Sequence, residues 1–200
     1  MSGPWTHTYS GGAWDLLNPH PGAVNWHDIA SALSIIPRFN GNTLHGRMVS
    51  VAQHSMSVAD HLEAEGGDPH IILHGLLHDA HEFALGDLAT PVGHALDAIR
   101  PGALEGFKEL KHRADIAIFV AAGLDLRLVE AEKAMVTAAD VAVLMAERNA
   151  CMSKPPRSWG ADLEAVTPSR SARTHSLPDH MDRKDFLTRL TALRKVVARG

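Results

Sequence analysis

The feature that most constrains this chain is its punctuation. Apolar residues recur at helical spacing in one segment after another, and Gly or Pro stops each segment. Met48, Val51, Ala52, Val58, Ala59 and Leu62 follow a 3.6-residue period, and Gly66-Gly67 ends it. Pro69 stands at a first-turn position for a helix carrying Ile71, Ile72, Leu76, Leu77, Ala80 and Ala84, which Gly86 stops. Thr90-Pro91 signals a short helix. Pro101 opens another through Leu104, Phe107, Leu110, Ala114, Ile118 and Ala121, with Gly123 as terminator. A long helix is predicted over roughly 128–152, broken by Pro155-Pro156. A last one, capped by Asp182, reaches about Ala198 with Phe186, Leu187, Leu190, Leu193 and Val197 inward. Near the start, Asn25 and Asp28 form a weak capping box for a short helix to Leu33. Residues 38–46 read as loop. No stretch alternates convincingly as a strand, and no internal repeat is visible. The pattern predicts an all-α, single-domain bundle of five to seven helices. Residues 1–24 read as an irregular segment draped over the core and 25–152 as the main helical body. Residues 153–200 read as a loop plus a helix packing on the same body.

Composition narrows the function classes. The 200 residues carry 19 Lys+Arg against 23 Asp+Glu, a net charge of −4, which argues against a nucleic-acid or anionic-membrane surface. A single cysteine, Cys151, excludes a disulfide framework and a thiolate zinc cluster. It points to a reducing, cytoplasmic setting. No uncharged apolar run of eighteen exists, and the first residues lack signal-peptide features. The outlier is histidine, with 14 copies and no tag-like run. Histidine is the commonest metal ligand and the physiological acid–base group.

The densest chemistry lies in HIILHGLLHDAHEFALGD. His78 and Asp79 are neighbours whose side chains diverge on a helix yet can reach a metal between them. Glu82, at i+4 from His78 and i+3 from Asp79, shares their face. Upstream, His54 sits among Ala52 and Val58, as a core histidine or a ligand. Downstream, Asp140 stands in AADVAV, where an unpaired carboxylate is costly to bury. His74 extends a spacing-4 row with His70 and His78 toward a second metal. A surface position is the simpler reading of His70, His175 and His180. His45 and His61 are left open, and His81 admits a supporting or substrate role. Lys108 and Lys111 read as a solvated helix face. Trp14 and Trp159 read as packing anchors.

The ordered set H…HD…D on three helices, with Arg38-Phe39 before SVAQHS, LLHDAHEFALGDLATPV and VTAADVAVLMAE, resembles the HD-domain metal-dependent phosphohydrolases. The nearest branch is that of bacterial 5′-deoxynucleotidases and phage dATP triphosphohydrolases. The resemblance covers about residues 14–150. It implies an HD-type helical fold and four metal ligands, His54, His78, Asp79 and Asp140. It implies that Glu82 handles the attacking water, with Asp87 as a second catalytic carboxylate. It further implies that Arg38 pairs with substrate phosphate and that Phe39 packs on the sugar. Phe39 replaces the usual Trp of the deoxynucleotidases, and Gly93 replaces a basic residue that often follows TPV. One divalent transition metal (Mn²⁺, Co²⁺, Ni²⁺, Fe²⁺ or Zn²⁺) suits two imidazoles and two carboxylates. The activity so implied is hydrolysis of a nucleotide phosphate ester, a deoxynucleoside 5′-monophosphate first. A triphosphohydrolase and a non-catalytic nucleotide or metal sensor are the rivals. The partner is a small-molecule nucleotide, and a homodimer is implied at family level.

Overall fold

The structure, a computed structural model, describes residues 3–44, 48–174 and 179–199, the side chains of residues 179 and 180 excepted. His45, His175 and the side chain of His180 lie outside the described residues. A hairpin of β1 (Trp5–His7) and β2 (Ala13–Asp15) precedes α1 (Trp26–Leu33), α2 (Val51–Ala64), α3 (Pro69–Leu77) and α4 (Glu82–Leu85). Then come α5 (Thr90–Ile99), α6 (Ala103–Ala122), α7 (Leu126–Cys151), α8 (Ala161–Glu164) and α9 (Asp179–Val197). Among the described residues, seven of these helices have eight residues or more. The class is all-α.

Helix α2 occupies the centre. Every residue from Val51 to Ala59 is buried, and α3, α7 and α9 pack around it. Its start is fixed by a capping box: Ser50 Oγ accepts from Gln53 N, and Gln53 Oε1 accepts from Ser50 N. Gly75 lets α3 approach, because a Cβ there would collide with Leu62 and crowd Val58. The core so formed includes Met56, Leu73, Leu76, Leu77, Ile118 and Phe186, each at most 1% exposed. His54, in the middle of α2, has no exposed surface of its own.

Four expectations are corrected. Two strands exist, antiparallel, with Thr6 opposite Trp14. At three residues each they are too short to show alternation, and the turn rests on Gly11 at φ 88°. Trp14 anchors the hairpin in the core, edge-on to Phe83 at 5.0 Å. Asn25 does cap α1 by accepting from His27 N, but Asp28 turns instead to Ser10, accepting from its N and Oγ. Asp182 is no cap either. It lies inside α9, fully buried, and accepts from Ser50 Oγ at 2.8 Å, so the last helix begins earlier. The helix expected to run unbroken to Gly86 ends at Leu77, and its remainder is α4.

Candidate metal centre

The break between α3 and α4 makes the site. After Leu77 the chain tightens: Ala80 N donates to Leu77 O at 2.9 Å, and Glu82 N to Asp79 O at 3.1 Å. These i→i−3 bonds are those of a 3₁₀ turn, which winds adjacent side chains differently from an α-helix. His78 Nδ1 donates to Gly75 O at 2.8 Å. A carbonyl only accepts, so Nδ1 carries a proton and Nε2 is the nitrogen turned to the site. His54 is oriented in the same sense. Its Nδ1 lies 3.1 and 3.2 Å from the two oxygens of Glu147, a carboxylate with no surface exposure.

The two Nε2 atoms face a pair of carboxylates. His54 Nε2 is 3.0 Å from Asp140 Oδ1 and 3.8 Å from Asp79 Oδ2. His78 Nε2 is 3.1 Å from Asp79 Oδ2 and 4.0 Å from Asp140 Oδ1. Both nitrogens are buried and neither makes a hydrogen bond. Atoms this close that do not point at one another converge on a third point. Ligands about 2.1 Å from one octahedral ion stand about 3 Å apart at adjacent positions. His54, His78 and Asp140 each bring one atom within 4.8 Å of the others. Unsatisfied imidazoles, opposed carboxylates and second partners on the far ring nitrogens fit a divalent cation. Asp79, His81 and Glu82, all buried, likewise bring one atom each within 4.8 Å of the others.

Electrostatics separate the carboxyls. Burial disfavours ionised Asp79, yet His78 and Lys111 hold it well below the usual range. Burial likewise opposes ionised Asp140, and His54 and His78 hold it down. Glu82 goes the other way: burial, then Asp79 and Asp87, push it up to about 9. Burial and Arg38 oppose charge on His54, but Glu147 and Asp140 outweigh them and raise it to about 9. Its Nε2 thus attracts a proton or, in competition, a metal ion.

The structure gathers the sequence-predicted set unevenly. His54, His78, Asp79 and Asp140 meet as described. Glu82 lies beside them, 7% exposed, with Oε2 unpartnered. Half-buried Asp87 is close enough to act on both Glu82 and Arg38. Arg38 is buried. Its Nε donates to Glu147 Oε2 at 3.0 Å, and Nη1 is 3.8 Å from Asp79. Phe39 holds φ at 57°, and its ring faces the Arg38 guanidinium at 5.5 Å and Trp159 at 6.4 Å. A cavity of about 320 Å³ opens onto His78, Asp79 and Asp140 from the side of α6 and α7. Neither Arg38 nor Phe39 lines it.

Sequence reasoning missed Glu147, which braces His54 and Arg38 together. Its one signal was its place seven residues, two helical turns, after Asp140. Lys111 was read as solvated; its Nζ is 3.7 Å from Asp79 Oδ1, whereas Lys108 does stay exposed beside Glu105. His70, read as surface, is half-buried and bonded to Glu132, and His81 is bonded to Asp115 at 2.9 Å.

No protein-family model matches the chain. It is 35% identical over 142 residues to an uncharacterized protein of Rhodobacter capsulatus, covering 70% of this chain and 69% of that protein. The chain belongs to that protein's family. Membership names no chemistry, so function rests on the site.

Proposed function

We propose that this family member is a metal-dependent phosphohydrolase of the HD type, acting on a deoxynucleoside 5′-monophosphate. One divalent transition metal is held by His54, His78, Asp79 and Asp140. The observation that carries this reading is the pair of buried, unbonded Nε2 atoms about 3 Å from two ionised carboxylates. When bound, such a metal acidifies a water and polarises a phosphoryl oxygen. The chain's own groups do the rest. Glu82, pushed toward the protonated form beside low-lying Asp79, is the group suited to exchanging a proton with the attacking water. Asp87 supports it. Arg38, held by Glu147, offers positive charge next to the ligands for the phosphate. The water oxygen forms the new bond to phosphorus, the phosphorus–O5′ bond breaks, and the proton that the water gives up is delivered to O5′, so the nucleoside leaves as its alcohol. Few basic residues lie near the motifs, which favours a monophosphate over a triphosphate.

The test is a nucleotide panel, mono- to triphosphate and ribo- against deoxyribo-, with Mn²⁺, Co²⁺ and Mg²⁺. Products are resolved by chromatography. Inorganic phosphate from a deoxynucleoside monophosphate is the expected result. Triphosphate release selects the rival enzyme, and nucleotide binding without turnover selects a sensor.

A further inference from the structure

One buried cluster takes no part in the chemistry above. Glu132 on α7 is bracketed by two histidines of α3. His70 Nδ1 is 2.9 Å from Oε1, and His74 Nδ1 is 3.1 Å from Oε2. The tautomers follow from the partners. The Asp125 backbone N–H donates to His70 Nε2 at 3.0 Å, so that nitrogen is bare and Nδ1 bears the proton given to Glu132. Glu132, accepting on one oxygen, accepts on the other from His74 Nδ1. His74 is thereby left with Nε2 as its remaining polar atom. The ring is 5% exposed and stands edge-on to Phe119 at 5.3 Å.

His74 lines the same cavity as His78, Asp79 and Asp140. Its other walls are mixed in a useful way. Phe119, Val129 and Val136 are apolar, whereas Lys111, Lys133, Asp115 and Glu130 bring charge of both signs. An apolar patch beside converging polar groups can hold a base and sugar and fix their orientation. Arg38 and Phe39 stand elsewhere, on another flank of the ligand set.

We propose that this cavity receives the nucleoside part of the substrate, and that His74 Nε2 accepts a hydrogen bond from a donor on it. The donor is a sugar hydroxyl or an amino or imino group of the base. The inference rests on the phosphohydrolase reading for the placement of the phosphate at the metal ligands. Burial holds the His74 pKa below its ordinary value against the pull of Glu132, which keeps Nε2 available as an acceptor. A substrate lacking the donor leaves that nitrogen unpaired in an enclosed site.

The experiment compares kcat/KM for a 2′-deoxynucleoside 5′-monophosphate, its 2′,3′-dideoxy analogue and an analogue without the base donor. Wild-type protein should lose about 10- to 100-fold on one analogue, which identifies the donor. His74→Phe should erase that discrimination, and His74→Gln, which keeps an acceptor, should retain part of it. Both variants should hold the wild-type metal content. Two analogues as good as the parent overturn the proposal, as does discrimination that survives in His74→Phe. A second measurement needs no variant. In ¹⁵N spectra of the wild-type imidazoles, His74 should show the Nδ1–H tautomer, and its Nε2 resonance should move on adding the four 2′-deoxynucleosides. An unmoved resonance overturns the pocket assignment. Turnover without analogue dependence defeats this inference alone. A responsive Nε2 in a protein that hydrolyses no nucleotide defeats the phosphohydrolase reading alone.

Discussion

Two clusters of this molecule use nearly the same parts to opposite ends. In one, His54 and His78 face Asp79 and Asp140; in the other, His70 and His74 flank Glu132. Both pair imidazoles with carboxylates at about 3 Å; the first joins α2 and the turn after α3 to α7, and the second joins α3 to α7. The difference lies in where the hydrogen bonds go. Around Glu132 the nitrogens point at the carboxylate oxygens, and the far nitrogen of His70 is used by a backbone N–H. In the first cluster the outer nitrogens are bonded to Gly75 O and Glu147, so the inner ones converge without a hydrogen bond. Residue type alone does not tell a metal site from a structural polar cluster. Satisfaction of each nitrogen does.

The largest effect should come from breaking the first cluster and sparing the second. Asp79→Ala and His78→Ala should abolish hydrolysis and strip the metal, because each leaves the remaining ligands too few to close the site. His74→Ala should keep full metal content. Elemental analysis of dialysed protein checks the contrast. Equal metal loss in His74→Ala and His78→Ala would falsify the division.

Next comes a group beside the ligands. Glu82→Gln keeps the shape of the side chain and removes its ability to exchange a proton. Turnover should fall by about 10²–10⁴, the range for an acid–base group, while metal content stays within error. A drop of less than about tenfold moves the role to Asp87.

A smaller effect sharpens the comparison from behind. Glu147 orients His54 as Glu132 orients His70, but only His54 then faces the candidate metal site. Glu147→Gln should weaken metal binding by about 10- to 100-fold, the usual result of losing the outer partner of a ligating histidine. Arg38 also loses its buried counter-charge, so the variant should melt lower. Unchanged metal affinity with a lowered Tm makes Glu147 a partner of Arg38 only.

The contrast also explains what could be read from the sequence. The helices were legible because Gly and Pro punctuate them, as at Gly66-Gly67 and Gly123, and because burial repeats every 3.6 residues. His78 and Asp79 stood out as polar neighbours inside an apolar run. The break after Leu77 did not, since a 3₁₀ turn shifts the apolar phase too little to disturb the pattern over a few residues. Glu147 sits in MAERNA, and beside Arg148 it reads as an exposed ion-pairing residue; only the packing of α7 on α2 buries it. Lys108 and Lys111, three apart, share almost one face, and only the approach of Asp79 decides between them. Glu132 had no local signal, because its partners are 58 and 62 residues away.

The smallest predicted effect tests the second cluster by itself. Glutamine at position 132 keeps the volume but offers one acceptor and one donor group where the carboxylate offers two acceptors. His70 cannot adapt without loss, because its Nε2 already receives the Asp125 N–H and its Nδ1 must donate. The amide oxygen of Glu132→Gln should therefore stay on His70, leaving the amide nitrogen toward His74. His74 must then shift its proton to Nε2 so that Nδ1 can accept. One hydrogen bond changes direction and a charge-assisted pair becomes neutral, which should cost about 1 kcal/mol of stability in a denaturant melt. Metal content should not move, since no atom of Glu132 touches the converging nitrogens. The acceptor that His74 shows the cavity becomes a donor, so ¹⁵N spectra should show the tautomer exchanged. A tautomer that stays in place means that the cavity and not Glu132 sets the proton on His74. Metal loss in this variant means that the two clusters are one coupled site, and the comparison fails.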